Sequence, residues 1–356
     1  MKKVAIIGCG SSGLITAYEL VRRYSHAVEI DIIEKEGIGG SLADCDSGLK
    51  HLNCTTDTLA YMMWFDIPHK IERVKSFISA GNRLWDFRNF MKNMEPRIEV
   101  ESTVKEYFHK TRPEEDFDIK TYKGMDGALL DILSDQLVLR VDMRTLFAKM
   151  LSDIVYHSTS KVNIHKGEYA GWTNNSASSD HQYNIFVRRT GVCTDLVQAD
   201  IIFNTLPFSA FENKGLAKEK KRKVSSNLYM VVNVYESNFD WDYIYVPDKD
   251  LPFRRVTNNH NRTVTVEFVG NPNRNSFDIA YDLGLVGIDV NRNARSVVVR
   301  NGFNSILVPT SYSDTRMKEL EEKQIYMVGR YATRNSRDTF ATTITRARKL
   351  IENVRH

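Results

Sequence analysis

Hydrophobic and polar positions fall into several short-period stretches along this chain. Near the start, Val4-Ala-Ile-Ile7 is an unbroken apolar run closed by Gly8, the pattern of a strand covered on both faces in a parallel sheet. Leu14, Ala17, Leu20 and Val21 then recur at helical spacing from Ser12 through Tyr24, and Glu29 to Glu34 reads as a second strand. Far downstream, Ile325-Tyr-Met-Val328 is another short apolar strand, followed by a helix from Phe340 to about Val354 with Asp338 or Thr339 as its N-cap. Between these ends, β-rich segments at Val162 to Trp172, Gln182 to Arg189 and Asp195 to Leu206 are separated by turn-rich stretches such as residues 173–180. Residues 226–269 alternate as strands of a further sheet, at Asn227 to Tyr235, Trp241 to Val246 and Thr263 to Val269. Residues 61–94 hold Tyr61, Met62, Met63, Trp64, Phe65, Phe77, Trp85, Phe87, Phe90 and Met91, a stripe that reads as a helical core rather than a substrate cage.

The first strand, helix and second strand enclose Gly8-Cys-Gly10-Ser-Ser-Gly13. In this setting Gly8 permits a tight turn, Gly10 lets the backbone approach a pyrophosphate, and Gly13 allows close helix-to-strand packing. The helix beginning near Ser12 aims free N–H groups and its positive end at phosphate. Glu34 lies 21 residues after Gly13 at the end of the second strand, where a carboxylate can accept both ribose hydroxyls and repels a 2′-phosphate. These features together predict a dinucleotide-binding βαβ unit over residues 4–40.

Directly after that acid comes Glu34-Lys35-Glu-Gly-Ile-Gly39-Gly40-Ser41. This stretch resembles the Glu…Gly-Gly extension of the FAD family that includes flavin amine oxidases, protoporphyrinogen oxidase and UDP-galactopyranose mutase. The resemblance continues in Gly329-Arg330 after the late strand, in Thr339 and Phe340 at the head of the last helix, and in Ala199-Asp-Ile-Ile-Phe-Asn-Thr-Leu-Pro207, which is similar to the family's return strand. It implies FAD as cofactor, with Gly8, Gly10, Ser12, Gly13, Glu34, Lys35, Gly39, Gly40, Ser41, Gly329, Arg330, Thr339 and Phe340 around it. The last helix would then face the flavin pyrimidine and stabilise negative charge developing there. The implied fold is α/β: a Rossmann-type, glutathione-reductase-like FAD domain with a parallel sheet and a β-meander (1–60, 140–207 and 305–356), plus an inserted α+β substrate domain (61–139 and 208–304).

The substrate side carries fainter signals. Arg255, in the segment from Tyr243 to Val256, resembles a mutase arginine that binds substrate diphosphate, with a surface arginine at a strand end as the alternative. His51 follows Asp46-Ser-Gly48 near where the mutases place a histidine over the flavin, although their Tyr-Gly-x-His-x-Phe-His pattern is absent. A satisfied structural histidine is the other reading. No catalytic base is evident. The chain has no second GxGxxG, which argues against enzymes with a separate NAD(P)H domain, and Gly329-Arg330 stands where aromatic hydroxylases have Gly-Asp.

Composition changes this picture little. With 356 residues and 42% apolar content the chain can bury a large core, and no stretch approaches the ~20 apolar residues of a membrane span. The four cysteines, Cys9, Cys45, Cys54 and Cys193, lack any CxxC pair, which favours reduced thiols in a cytoplasmic setting and no metal site. The net charge is +4, with Arg330, Arg334, Arg337, Arg346, Arg348, Lys349 and Arg355 concentrated at the end, as a solvated helix face or a contact with nucleic acid. The sequence thus predicts an FAD-dependent oxidoreductase taking hydride from an amine or amino-acid-like small molecule. Its alternatives are a mutase-like non-redox flavoenzyme, a virus-type flavoenzyme acting on a modified nucleotide or DNA-borne amine, and a non-catalytic flavin-binding protein. Oligomeric state is left open.

Overall fold

The computed structural model describes residues 1–40, 43, 51–80, 83–86, 137–157, 159–175, 181–189, 194–211, 227–234, 239–246, 248, 250–260, 262–269, 276–290, 298–302, 311–333 and 339–354. The apolar run at the start becomes strand β1 (Lys2–Ile7), which pairs in parallel with β2 (Val28–Glu34) on one side and β12 (Ile201–Asn204) on the other. β8 (Lys161–Lys166) and β18 (Ile325–Met327) complete a five-stranded parallel sheet of order β18-β12-β1-β2-β8. The connections leave β1 in opposite directions, so the end of β1 is the topological switch point at which open α/β sheets bind ligands.

The lack of alternation in β1 has a direct cause. Val4 and Ile6 belong to a core shared with helix α1 (Ser11–Tyr24), whereas Ala5 and Ile7 belong to a second core on the opposite face. That second core is closed by an antiparallel meander of β9 (Glu168–Asn174), β10 (Tyr183–Arg188) and β11 (Thr194–Ala199). Two of the three β segments expected from sequence are in fact split. Gly167 turns β8 out of the parallel sheet into β9, where a Cβ would stand 2.6 Å from Val187 and 2.9 Å from the Arg188 carbonyl, and Asp200 turns β11 into β12. Alternation alone could not locate these corners because strand character continues through both.

The aromatic stripe is only partly helical. Helix α2 (Thr56–Trp64) buries Tyr61 and Met62 in the first core with Phe65 and Ile67 just beyond it, while Met63 and Trp64 face outward. The chain then forms strands, not helix: β4 (His69–Arg73), β5 (Ser76–Ala80) and β6 (Arg83–Asp86). Phe77 thus packs from a strand against a different core, and Phe87, Phe90 and Met91 lie outside the described residues. β4 joins β3 (His51–Asn53) and β7 (Leu137–Val141) in a small antiparallel sheet, and helix α3 (Met143–Ser152) follows with Asp142 as its cap.

A seven-stranded sheet holds the rest, in the order β17-β13-β16-β15-β14-β5-β6. Its members from the second half are β13 (Asn227–Asn233), β14 (Tyr243–Tyr245), β15 (Phe253–Asn258), β16 (Thr263–Val269) and β17 (Val298–Gly302). One face is apolar, with Ile244, Val256, Val264, Val266 and Phe268 packed on Ile279 and Leu283 of helix α4 (Ser276–Leu285).

The last helix, α5 (Phe340–Glu352), lies against α1 and α2. Tyr61 Oη donates to the buried Glu19 carboxylate (2.7 Å), which Arg348 Nε also reaches at 3.0 Å, so one acid ties the three helices together. Thr339 caps α5 in a reciprocal pair with Thr342. Thr339→Ala should therefore lower stability by about 1 kcal/mol, measured as a fall in the thermal midpoint.

Candidate functional site

The first site element is the meeting of three glycine segments at the end of β1. Gly8 leaves β1 with a positive φ of 98° and its N–H donates to the Ile33 carbonyl (2.8 Å). A Cβ on Gly13 would overlap the Gly8 carbonyl oxygen and lie 3.0 Å from its carbon, so only glycine lets α1 start this close to the strand. Gly39 N–H donates to the Cys9 carbonyl (2.8 Å), which bridges Gly39 to Gly10 and sets Gly40 against it. Around a Cβ placed on Gly10 the nearest atom is the Gly40 Cα at 3.9 Å, so side chains here would fill a narrow cradle between two backbones. Thr205, at the end of the return strand, closes its base by donating Oγ1 to the Ile7 carbonyl (2.8 Å).

Glu34 holds the first two segments together. Its Oε2 accepts from Cys9 N–H (2.6 Å) and its Oε1 from Glu36 and Gly37 N–H (2.8 and 3.2 Å). The carboxylate expected to meet ribose thus already organises the loop that would cradle it, with part of its acceptor capacity remaining. Burial, with Glu34 alongside, pushes the Cys9 thiol up to about 12, which keeps it protonated and inert. Lys35 points away, to Glu168 of the meander at 3.6 Å. Ser41 lies outside the described residues.

The third segment arrives from the far end of the chain. Gly329 has φ 87°, and a Cβ on it would overlap Ser12 Oγ and lie 2.7 Å from Ser12 Cβ. The turn after β18 therefore rests directly on the glycine loop after β1, 317 residues earlier. It runs into a single helical turn (Arg330–Thr333) that sequence reading missed, with Thr333 N–H returning to the Gly329 carbonyl (3.0 Å). Arg330 is exposed. Phe340 turns its ring edge-on to Tyr61 at 5.8 Å, so its side chain packs the core, and only its backbone at the head of α5 is placed to meet a ligand.

The second site element is the other face of the seven-stranded sheet. Opposite the apolar core lie Tyr243, Tyr245, Arg255, Thr257, Thr265 and Glu267, most of them almost fully buried. A buried polar face is the informative exception in a sheet protein. Among the described residues, Ser76 Oγ, in register with Tyr243, is buried without a hydrogen-bond partner.

The two substrate-side residues picked from sequence meet here on one tyrosine. His51 Nδ1 lies 2.7 Å from Tyr243 Oη, and the Arg255 guanidinium stands 5.7 Å from the centre of the Tyr243 ring. Arg255 is no surface arginine at a strand end. It sits within β15 and pairs with the buried Glu267 (2.8 Å), which Arg254 also bonds. A β-bulge between Phe253 and Arg255 makes Arg254 an extra residue, and this lets both arginines reach one carboxylate. Tyr243 and Glu267 were not recognised from sequence; the only available signal was a polar residue at every second position of strands whose other face is apolar.

His51 is cross-strand from Arg140, whose guanidinium bonds Glu72 and Asp242; Asp242 also accepts from His260 Nε2 (2.8 Å) and Lys75 N–H (2.9 Å). Burial, together with Arg140, pulls the His51 imidazole from 6.5 down to about 4 against the opposing pull of Asp242. The unfolded chain therefore takes up this proton first as pH falls. The stability His51 contributes is intact above about 6.5 and is lost towards 4, which amounts to about 3 kcal/mol. Urea unfolding of the natural chain against His51→Gln at pH 7 and pH 4.5 should show the natural chain losing more.

Of the basic residues near the end, Arg334, Arg337 and Arg355 lie outside the described residues, and two of the described ones are tied inward. Arg346 Nε donates to the Met327 carbonyl (2.9 Å), and Arg348 bonds Glu19 and Asp57, whereas Lys349 is exposed. Among the described residues no helix is long and apolar enough to cross a membrane, and no group of three or more His, Cys, Asp or Glu is gathered as metal ligands.

Comparison with known proteins extends this geometry. Residues 5–68 match a family model described as FAD-NAD(P)-binding. No curated protein matches the chain in sequence. Its fold is similar to a crystal structure of reduced UDP-galactopyranose mutase (TM-score 0.69, 13% identity, 99% of this chain and 95% of that one). It is also similar to a CLA-producing fatty acid isomerase from P. acnes (TM-score 0.62, 12% identity, 99% and 98%) and to an oxidoreductase from Methanosarcina mazei (TM-score 0.55, 9% identity, 98% and 100%). The parallel sheet, the meander and the converging glycine turns thus give this chain a fold similar to that of UDP-galactopyranose mutase, around an N-terminal segment that matches an FAD-NAD(P)-binding model.

Proposed function

We propose that this protein is an FAD-dependent oxidoreductase that removes hydride from the carbon beside an amine in a small, anion-bearing substrate. The observation that carries the reading is the seating of Gly329 on Ser12, which joins two turns from opposite ends of the chain into one cradle. Gly8, Gly10, Gly13, Gly39 and Gly40 would let backbone N–H groups reach the pyrophosphate, and Glu34 would accept from the ribose. Backbone at the head of α5 would stabilise negative charge developing on the flavin ring. When bound, FAD supplies the hydride acceptor.

The substrate side is drawn from residues 61–139 and 208–304, with the segment up to Ile67 packed on the FAD side. Here the polar face around Tyr243 would orient the substrate, and the seven-stranded sheet behind it would keep that face rigid. Arg254 and Arg255 both bond Glu267, and their guanidinium groups would supply the positive charge that attracts an anionic group. The same charge favours a second reading, in which a diphosphate-bearing sugar is rearranged without net oxidation, as the likeness to a mutase suggests.

Anaerobic mixing separates the two. Oxidised, FAD-loaded protein should bleach on addition of amines or amino acids under the first reading. Absence of bleaching with a broad amine panel, coupled with turnover of a nucleotide sugar only after prior photoreduction, would replace it with the second.

A further inference from the structure

We propose that Tyr243 is a positioning residue that fixes the tautomer of His51: the phenol donates to Nδ1, and His51 then offers Nε2–H as a neutral hydrogen-bond donor to an acceptor oxygen of the substrate. The proposal rests on the reading of the polar face as the substrate side.

Geometry supplies the first argument. The Tyr243 hydroxyl and His51 Nδ1 are 2.7 Å apart, with the two rings set 69° to one another. Of the two ways to place the proton in such a pair, donation from phenol to imidazole nitrogen is favoured. A phenol is the more acidic donor, with an ordinary pKa of about 10, and an unprotonated imidazole nitrogen is the better acceptor. The surroundings push the same way. Arg255 stands over the Tyr243 ring, and a cation there favours the phenol as a donor.

Protonation of the second nitrogen is opposed from the neighbouring strand. Burial disfavours the charged ring most, and Arg140 of β7, the direct cross-strand partner of His51, and then Arg255 add to that effect. Asp242, just before Tyr243, pulls the other way, and its oxygens are already engaged by Arg140, His260 and the Lys75 N–H. Nε2 is left as the nitrogen that can meet a ligand. An imidazole in this state is a poor base and a good donor, the arrangement suited to polarising a carbonyl or holding a carboxylate oxygen. The absence of a recognisable catalytic base in the sequence accords with such a role, since His51 would orient and polarise without taking a proton.

The test is nitrogen NMR of the full chain labelled with ¹⁵N-histidine, with His51→Gln used to identify the signals. At neutral pH, His51 should show a pyridine-type Nδ1 and a pyrrole-type Nε2, and both should hold until pH falls towards about 4. Tyr243→Phe keeps the ring beneath Arg255 and removes only the hydroxyl. It should draw the two signals towards a tautomer average and raise the titration midpoint. A pyrrole-type Nδ1 in the natural chain, or a Tyr243→Phe spectrum identical to the natural one, overturns the proposal. If Tyr243→Phe does not fold, the natural chain's tautomer decides the matter alone. The measurement needs neither FAD nor substrate, so a failure of flavin binding would appear in the visible spectrum while leaving the nitrogen signals to report independently.

Discussion

Gly329→Ala should weaken FAD binding by roughly 30- to 1000-fold, read by quenching of flavin fluorescence on titration with protein. Two costs add. At φ 87° an alanine sits in a region where L side chains are strained by about 1 kcal/mol. Its methyl would also overlap Ser12 Oγ and lie 2.7 Å from Ser12 Cβ, which forces the two turns apart at a cost of about 1–3 kcal/mol. The displacement falls on the start of α1, whose N–H groups are the ones proposed to meet phosphate. Ser12→Gly in the same chain removes the overlapping atoms and should recover most of the lost affinity, leaving the smaller backbone strain. A Gly329→Ala protein that binds FAD as tightly as the natural chain would show that the late turn is not part of the cofactor site.

Glu267→Gln should destabilise the protein by about 3–5 kcal/mol, seen as a fall in the urea midpoint. Glu267 is 3% exposed and is the carboxylate shared by Arg254 and Arg255, whose side chains are only 12% and 20% exposed. Its neutral replacement removes the carboxylate that both poorly solvated guanidinium groups bond. The penalty comes from losing that compensation at a buried site, not from any large net gain of the intact pair. Changing all three together, with Arg254→Met, Arg255→Met and Glu267→Leu, should therefore restore most of the stability while abolishing any attraction for an anionic substrate. That separation would place the triad's purpose in recognition instead of folding.

The FAD half of the fold was legible because its signals are local and redundant. The run from Val4 to Ile7, the spacing of Gly8, Gly10 and Gly13, and an acid at Glu34 each follow from one backbone requirement, and all lie within a single βαβ unit. Gly329 could be read for the same reason, as a glycine closing a short buried strand. Corners such as Gly167 and Asp200 were not legible, since a chain that passes from one sheet to another keeps its strand character throughout. The stripe at residues 61–94 misled because large apolar residues mark cores of either kind, and Phe77 fills its core from a strand.

The polar face proposed to meet substrate was hidden for a different reason. His51, Tyr243, Arg255 and Glu267 come from four strands, and nothing in their spacing records that they meet. His51 and Arg255 were picked out one at a time by resemblance; their common partner, Tyr243, is visible only once β3 and β14 are brought together. The bulge that turns Arg254 and Arg255 onto one acid breaks the two-residue period on which strand reading depends.

The central claim is that the two ends of this chain build one FAD site, and the visible spectrum of purified protein after incubation with FAD and gel filtration tests it most directly. The account predicts a yellow protein with resolved flavin bands and quenched flavin fluorescence, with less flavin retained by Gly329→Ala. A natural chain that emerges colourless, under every condition that keeps it folded, would contradict it.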